Sequence, residues 1–168
     1  MQEQVKNAQE RAEREKVHPH AAEARARKRA GAEDLGVDAD YIATFVDSFY
    51  GKVRIDALLG PIFAERITDW PEHLDRMNRF WRSILHNSGE FSGNPMLKHL
   101  AIPGLEQRHF AHWLDLFYAT LRELESHPGA TQLVGTRARM IADSLLTGIE
   151  MQRSGLGGAK AGKDLPHV

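Results

Sequence analysis

The chain has 168 residues, no cysteine and a formal net charge of −1, with 42% hydrophobic and 27% charged residues. That length suits one domain with a single core, and the composition is that of an ordinary folded protein rather than a disordered one. The absence of cysteine excludes disulfides, thiolate catalysis and every cysteine-ligated metal, so any metal must be held by histidine or carboxylate. Near-neutral charge gives no overall pull toward nucleic acid or an anionic membrane. The charged N-terminus shows no signal peptide, and no apolar run approaches the ~20 residues that span a bilayer. A soluble cytoplasmic protein is expected.

Residues 1–36 are dominated by Ala, Glu, Arg and Lys. Val5, Val17 and Leu35 are too sparse to form a core-facing stripe, so a flexible or loosely helical extension, broken at Pro19, is expected. Its basic run Arg25, Arg27, Lys28, Arg29 suits an acidic partner or RNA, or plain solvation among nearby acids. From Asp38 or Asp40, which can cap a helix, the apolar positions Ile42, Phe45, Phe49 and Val53 recur at helical spacing. Gly60-Pro61 then marks a connection carrying Ile62 and Phe63. A second helix starts near Asp69 with Pro71 in its first turn, and its stripe is Trp70, Leu74, Met77, Trp81 and Ile84, flanked by His73 and Phe80.

A Gly- and Pro-rich loop, Ser88 to Pro95, leads into a short apolar piece, Met96 to Ile102, that ends at Pro103-Gly104. A third long helix carries Phe110, Trp113, Leu114, Phe117, Leu121 and Leu124. A fourth carries Leu133, Met140, Ile141, Leu145 and Ile149. The Gly- and Lys-rich segment 154–168 reads as a flexible tail. No stretch alternates with period two and no hairpin turn signal occurs, so the expected class is all-α, with the folded domain at 37–153.

Two features carry chemistry. The piece around His99 holds only one or two helical turns between loops, too few to fix its own position. A metal bond through His99 would anchor it; a half-buried loop histidine is the alternative. Second, His73, Met77 and Phe80 share one helical face, and a polar imidazole in an apolar row needs a partner or a wet cavity. With Tyr50 from the first helix and Trp113 from the third, three polar-tipped rings can converge on one pocket, or simply pack with their tips in water. His109 and His112 are three apart and suit either a two-histidine metal site or a solvated flank. No phosphate loop, no carboxylate pair in an apolar setting and no His-Glu-x-x-His run is present.

The runs Phe49-Tyr50-Gly51-Lys52-Val53-Arg54, Leu59-Gly60-Pro61-Ile62-Phe63 and Trp70-Pro71-Glu72-His73-Leu74 resemble group III truncated haemoglobins. So do Phe80-Trp81, Gly93-Asn94-Pro95-Met96, Lys98-His99-Leu100, Phe110, Trp113-Leu114 and Leu116-Phe117. The resemblance covers Tyr41 to Arg153 and leaves out both tails. It implies a two-over-two helical sandwich around haem b, with His99 as proximal iron ligand. It further implies a distal pocket of Tyr50, His73 and Trp113 with Met77 beside the ligand. Phe63 would pack on the porphyrin, with Phe80, Trp81 and Met96 around the cofactor and Arg76 and Lys98 as propionate partners. The implied small ligands are oxygen, nitric oxide and carbon monoxide, with oxygen released slowly when Tyr50 and Trp113 donate to it and His73 acting as donor or gate. No catalytic residue is assigned. A nitric oxide dioxygenase or peroxidase-like activity would need a separate reductase, and a cofactor-free helical module is the further alternative. No nucleic-acid or membrane partner and a monomeric state are expected.

Overall fold

The structure, a computed structural model, describes residues 19–168. Val5, Val17 and half of the charged extension lie outside the described residues. Seven α-helices follow in order: α1 Pro19–Asp34, α2 Ala39–Ile55, α3 Gly60–Arg66, α4 Trp70–His86, α5 Pro95–Leu100, α6 Gln107–Glu123 and α7 Pro128–Ser154. A 3-10 turn, Gly155–Gly158, closes the chain's last helix. No strand occurs among the described residues, and none of the helices is long and apolar enough to cross a membrane.

Side-chain caps set most of the helix starts. The Asp38 carboxylate accepts the Tyr41 N–H at 2.8 Å, Asp69 accepts that of Glu72 at 3.1 Å, and Asn94 accepts that of Leu97 at 3.0 Å. Each satisfies a first-turn amide that the helix itself cannot pair. Asp56, just past α2, accepts the N–H groups of Leu58 and Leu59 at 3.0 and 2.8 Å and so turns the chain into α3. The corner requires glycine at position 60, because a Cβ there would stand 3.0 Å from the Arg54 carbonyl oxygen and 3.3 Å from that of Val53. The connection expected at Gly60-Pro61 is therefore itself a short helix, with Pro61 in its first turn.

Helix α2 packs on α4 and α6 on α7, and α2 crosses α6 to join the two pairs. The interior holds a lattice of rings. Phe45 meets Trp81 and Phe117 edge-on at 5.5 and 5.6 Å, while Phe117 stacks on Trp81 at 5.2 Å and on Trp113 at 5.1 Å. Along α7 the buried stripe is Val134, Ala138, Ala142, Leu145, Leu146 and Ile149. Met140, assigned to the core from spacing, is 54% exposed. Small alanines rather than a long thioether meet the neighbouring helix.

The first described residue, Pro19, opens α1, in keeping with proline's tolerance in a first turn. This helix lies against α4 and buries only Ala32 of its own residues. The following segment is tied down: Val37 is fully buried, and its carbonyl oxygen is 2.6 Å from His86 Nε2 at the end of α4. The segment 154–168, expected to be a flexible tail, is folded back on α6 and α7. Leu165 is 1% exposed, the Tyr118 hydroxyl donates to the Pro166 carbonyl at 2.7 Å, and the Arg139 guanidinium donates to the carbonyls of Lys163 and Leu165 at 3.2 Å. Its glycines serve close approach, not mobility: a Cβ on Gly158 would collide with the backbone of Glu150 and Met151.

Candidate functional site

Helix α4 has its apolar side chains on one face, but they are covered unevenly. Trp81, Leu85 and His86 in its C-terminal half are buried, whereas His73, Leu74, Met77 and Phe80 nearer its start are only partly so. Across from that start lies α5, a six-residue helix with no buried residue of its own, packed against α7. The interval between the two, across which Lys98 of α5 influences His73 of α4, is the candidate slot.

The wall of the slot is aromatic. Tyr50 from α2, Trp70 and His73 from α4 close a triangle of rings, with centroids 5.2 Å apart for Tyr50 and His73, 5.6 Å for Trp70 and His73, and 6.1 Å for Tyr50 and Trp70. Phe63 from α3 meets Tyr50 edge-on at 5.9 Å. Trp113 is one ring further away: Phe49 stands between it and Tyr50, 5.4 Å from Trp113 and 5.1 Å from Tyr50. Of the expected trio, Tyr50 and His73 are thus in contact, and Trp113 joins them through Phe49. Trp81 sits deeper, in the ring lattice of the core, and Phe80 packs between Trp81 and the loop residue Phe91 at 5.5 and 5.1 Å.

Electrostatics mark the same place. Tyr50 is 6% exposed, and burial alone pushes its pKa above the ordinary phenol range, so the ring is a neutral O–H donor. Burial, followed by the positive charges of Arg76 and Lys98, lowers the His73 pKa to about 4, which leaves the imidazole neutral at pH 7. The influence of Lys98 places the two faces of the slot within electrostatic reach of each other. His73 Nε2 is buried and has no hydrogen-bond partner among the described residues, a cost that native interiors rarely carry without a reason. Arg76 lies one turn along, 3.6 Å from the Glu72 carboxylate.

On α5, His99 is half-buried, and its Nδ1 is 2.6 Å from the carbonyl oxygen of Pro95 one turn earlier. Nδ1 must carry the proton in that bond, so Nε2 keeps its lone pair for a metal, the arrangement typical of ligating histidines. Met96, at the start of α5, lies against Gly148 of α7, where a Cβ would come 2.5 Å from its methyl carbon. An aromatic slot, an unpartnered imidazole on one wall and an oriented histidine on the other fit a flat apolar metal cofactor. No group of three or more histidine or acidic residues able to hold a bare metal ion occurs among the described residues.

His109 and His112 have structural partners. His109 Nδ1 accepts the Glu106 N–H at 3.0 Å and caps α6, and His112 Nε2 lies 2.6 Å from Asp56 Oδ2. The two-histidine metal reading is overturned because the rings are engaged separately, one at a helix start and one across to the α2–α3 corner. Burial raises the Asp56 carboxyl, but the bonds from His112, Leu59 and Leu58 outweigh it and hold its pKa below the ordinary value. Sequence reasoning missed Trp70 as a pocket wall, although it stands three residues before His73, a spacing that puts both on one helical face. Arg54, whose guanidinium carbon lies 4.5 Å from the Trp70 ring centroid, left no signal in the sequence.

An all-helical sandwich with a slot between a long helix and a short histidine-bearing one has the architecture of a truncated globin. The comparisons agree with that class. The chain is 36% identical over 110 residues to the group 3 truncated hemoglobin ctb of Campylobacter jejuni, a match covering 63% of this chain and 86% of that protein. A crystal structure of the group III truncated hemoglobin from Campylobacter jejuni superposes with a TM-score of 0.61 at 36% identity, over 64% of this chain and 87% of that one. No protein-family model matches the sequence. The chain belongs to the group III truncated haemoglobins.

Proposed function

We propose that residues 37–153 hold haem b in the slot between α4 and α5 and bind a diatomic gas, oxygen first, with slow release. The observation that carries this reading is the pairing of His99, oriented by its bond to Pro95, with the unpartnered His73 on the opposite wall. His99 Nε2 would be the iron ligand. Phe63, Met77, Phe80 and Met96 would supply apolar contact, and Arg76 and Lys98 the positive charge for the propionates. Trp81 would back the distal helix from inside the core. Iron held by one imidazole supplies a reversible binding position for oxygen, nitric oxide or carbon monoxide.

The chain's own groups determine how long a gas stays. The Tyr50 hydroxyl, neutral and without a protein acceptor among the described residues, keeps its proton for a ligand, and the Trp113 indole N–H is a second donor. A net hydrogen bond of about 1 kcal/mol slows escape by roughly fivefold, and charge on the acceptor raises that. His73, neutral at pH 7, offers one donor and one acceptor without placing a charge in the slot. Slow release suits capture or sensing better than bulk delivery.

The test is an ultraviolet–visible spectrum of the purified protein, reduced and then exposed to carbon monoxide, beside a His99→Ala variant. An intense Soret band that shifts with carbon monoxide and is lost or altered in the variant is expected. The absence of that band after haem is added would refute the reading.

A further inference from the structure

His73 is held in place by rings and not by polar partners. Tyr50 and Trp70 meet it edge-on at interplanar angles of 88° and 85°, and its buried Nε2 has no hydrogen bond. An imidazole without a polar partner gains by turning out to water, so whatever keeps Trp70 in place also keeps His73 inside. The backbone at Trp70 is well fixed, since it lies between the capping residue Asp69 and Pro71. Its ring, half-buried, is covered on one face by the exposed Arg54 of α2 at 4.5 Å. Arg54 has no carboxylate partner among the described ion pairs, while on α4 Arg76, Arg79 and Arg82 all pair with acids. Its guanidinium is available to the indole.

We propose that Arg54 and Trp70 form a latch that holds His73 in the slot and so governs the entry of gas. Both are positioning residues: neither need touch the ligand, and their effect passes through the imidazole. The latch joins α2 to the first turn of α4, across the outer end of the ring triangle. With the latch shut, the three rings close the slot at that end. Loss of the cation over Trp70 loosens the indole and shifts the His73 population outward, which opens a path. The inference rests on the proposed gas-binding function, and its readouts separate the two.

The experiment uses the full-length protein as its carbon monoxide complex, with rebinding followed after a light flash. An exposed cation over this half-buried indole contributes enough to change the open population by about two- to fivefold, so Arg54→Ala should speed association by that factor. Arg54→Lys, which keeps the charge, should restore most of the original rate. His73→Ala should be fast by itself, and adding Arg54→Ala to it should change nothing further. A second readout is the nuclear magnetic resonance titration of His73. Its ring faces Tyr50 from α2, Trp70 and Arg76 from α4, and Lys98 from α5. In Arg54→Ala its midpoint should move up from about 4 toward the solvated value of 6.5.

An original rebinding rate in Arg54→Ala would overturn the latch. So would a speed-up of the same size in the His73→Ala background, because Arg54 would then act by another route. If no variant shows a Soret band, the gas-binding proposal fails first. The His73 titration of the cofactor-free chain then decides the latch, and an unmoved midpoint in Arg54→Ala overturns it.

Discussion

Helices α2 and α4 lie side by side and are both amphipathic, yet they are buried to different degrees. On α2 the residues Ile42, Phe45, Val46, Phe49, Tyr50 and Val53 are all at most 6% exposed. On α4 the first half of the stripe is left partly open, and its imidazole lacks a partner. A chain that can fill one helix face with rings could fill the other in the same way. The unfilled face is opposite α5, at six residues the shortest helix among α2 to α7, and α5 carries His99. The contrast separates a region built for stability from one built to receive something.

The largest expected effect follows directly. His99→Ala should abolish or strongly weaken haem retention, measured by Soret intensity after gel filtration. The cofactor-free chain should keep its unfolding midpoint, because His99 is half-buried and bonds only to its own helix. Equal loss of both would return His99 to the stability region. On the closed side, Phe117→Ala removes a ring that touches Phe45, Phe49, Trp81 and Trp113. It should cost about 3–5 kcal/mol in urea unfolding. Met77→Ala on the open side should cost clearly less in the cofactor-free chain.

Acid sharpens the comparison further. His73 titrates at about 4 when folded and at 6.5 when free. As pH falls, the unfolded chain takes up the proton first. The stability that depends on neutral burial is therefore complete above about pH 6.5 and lost progressively toward about pH 4. His73→Leu should remove that part of the acid limb in a thermal-melt series, while the limb above pH 6.5 stays as it was. Identical profiles for the two proteins between these values would show that the open face does not shield the ring.

Much of the fold was legible because its signals are local. Asp38 caps as its position implies, the second helix starts at Asp69 as expected, and the stripes of α2, α4 and α6 follow helical spacing. Three elements were not. Helix α1 has no apolar face, and only its end is pinned. Helix α3 is seven residues beginning with Gly60-Pro61, which reads as a turn. The C-terminal segment reads as mobile because glycine has the same composition signal whether it gives freedom or close approach. In the site, His99 and Tyr50 were singled out by residue type and place. The contact of Tyr50 with Trp70, the Phe49 wedge before Trp113 and the Arg54 cover come from helices crossing, which no spacing rule encodes.

The C-terminal glycines provide the next test. Gly158→Ala drives a methyl group into the backbone at Glu150 and Met151, which cannot yield as a side chain end would. A loss of about 1–3 kcal/mol is expected, with no change in the carbon monoxide spectrum, because the segment docks on α6 and α7 away from the slot. Wild-type stability would restore the flexible reading of residues 154–168.

The smallest effect tests the open face most sharply. Tyr50→Phe removes one hydroxyl from a ring that is 6% exposed and in contact with Phe49, Phe63, Trp70 and His73. Were that hydroxyl bonded within the protein, its loss would leave a buried partner unsatisfied and cost about 1–3 kcal/mol. It has no such partner among the described residues, so the variant should unfold within about 0.5 kcal/mol of the original, the range of a substitution that breaks no contact. Oxygen release from the same variant should nonetheless quicken by roughly fivefold or more, since ~1 kcal/mol of donor interaction is withdrawn from the ligand. A group with no effect on stability and a clear effect on release acts on what enters the slot. A destabilised variant with unchanged release would instead place Tyr50 with the rest of α2, on the closed side.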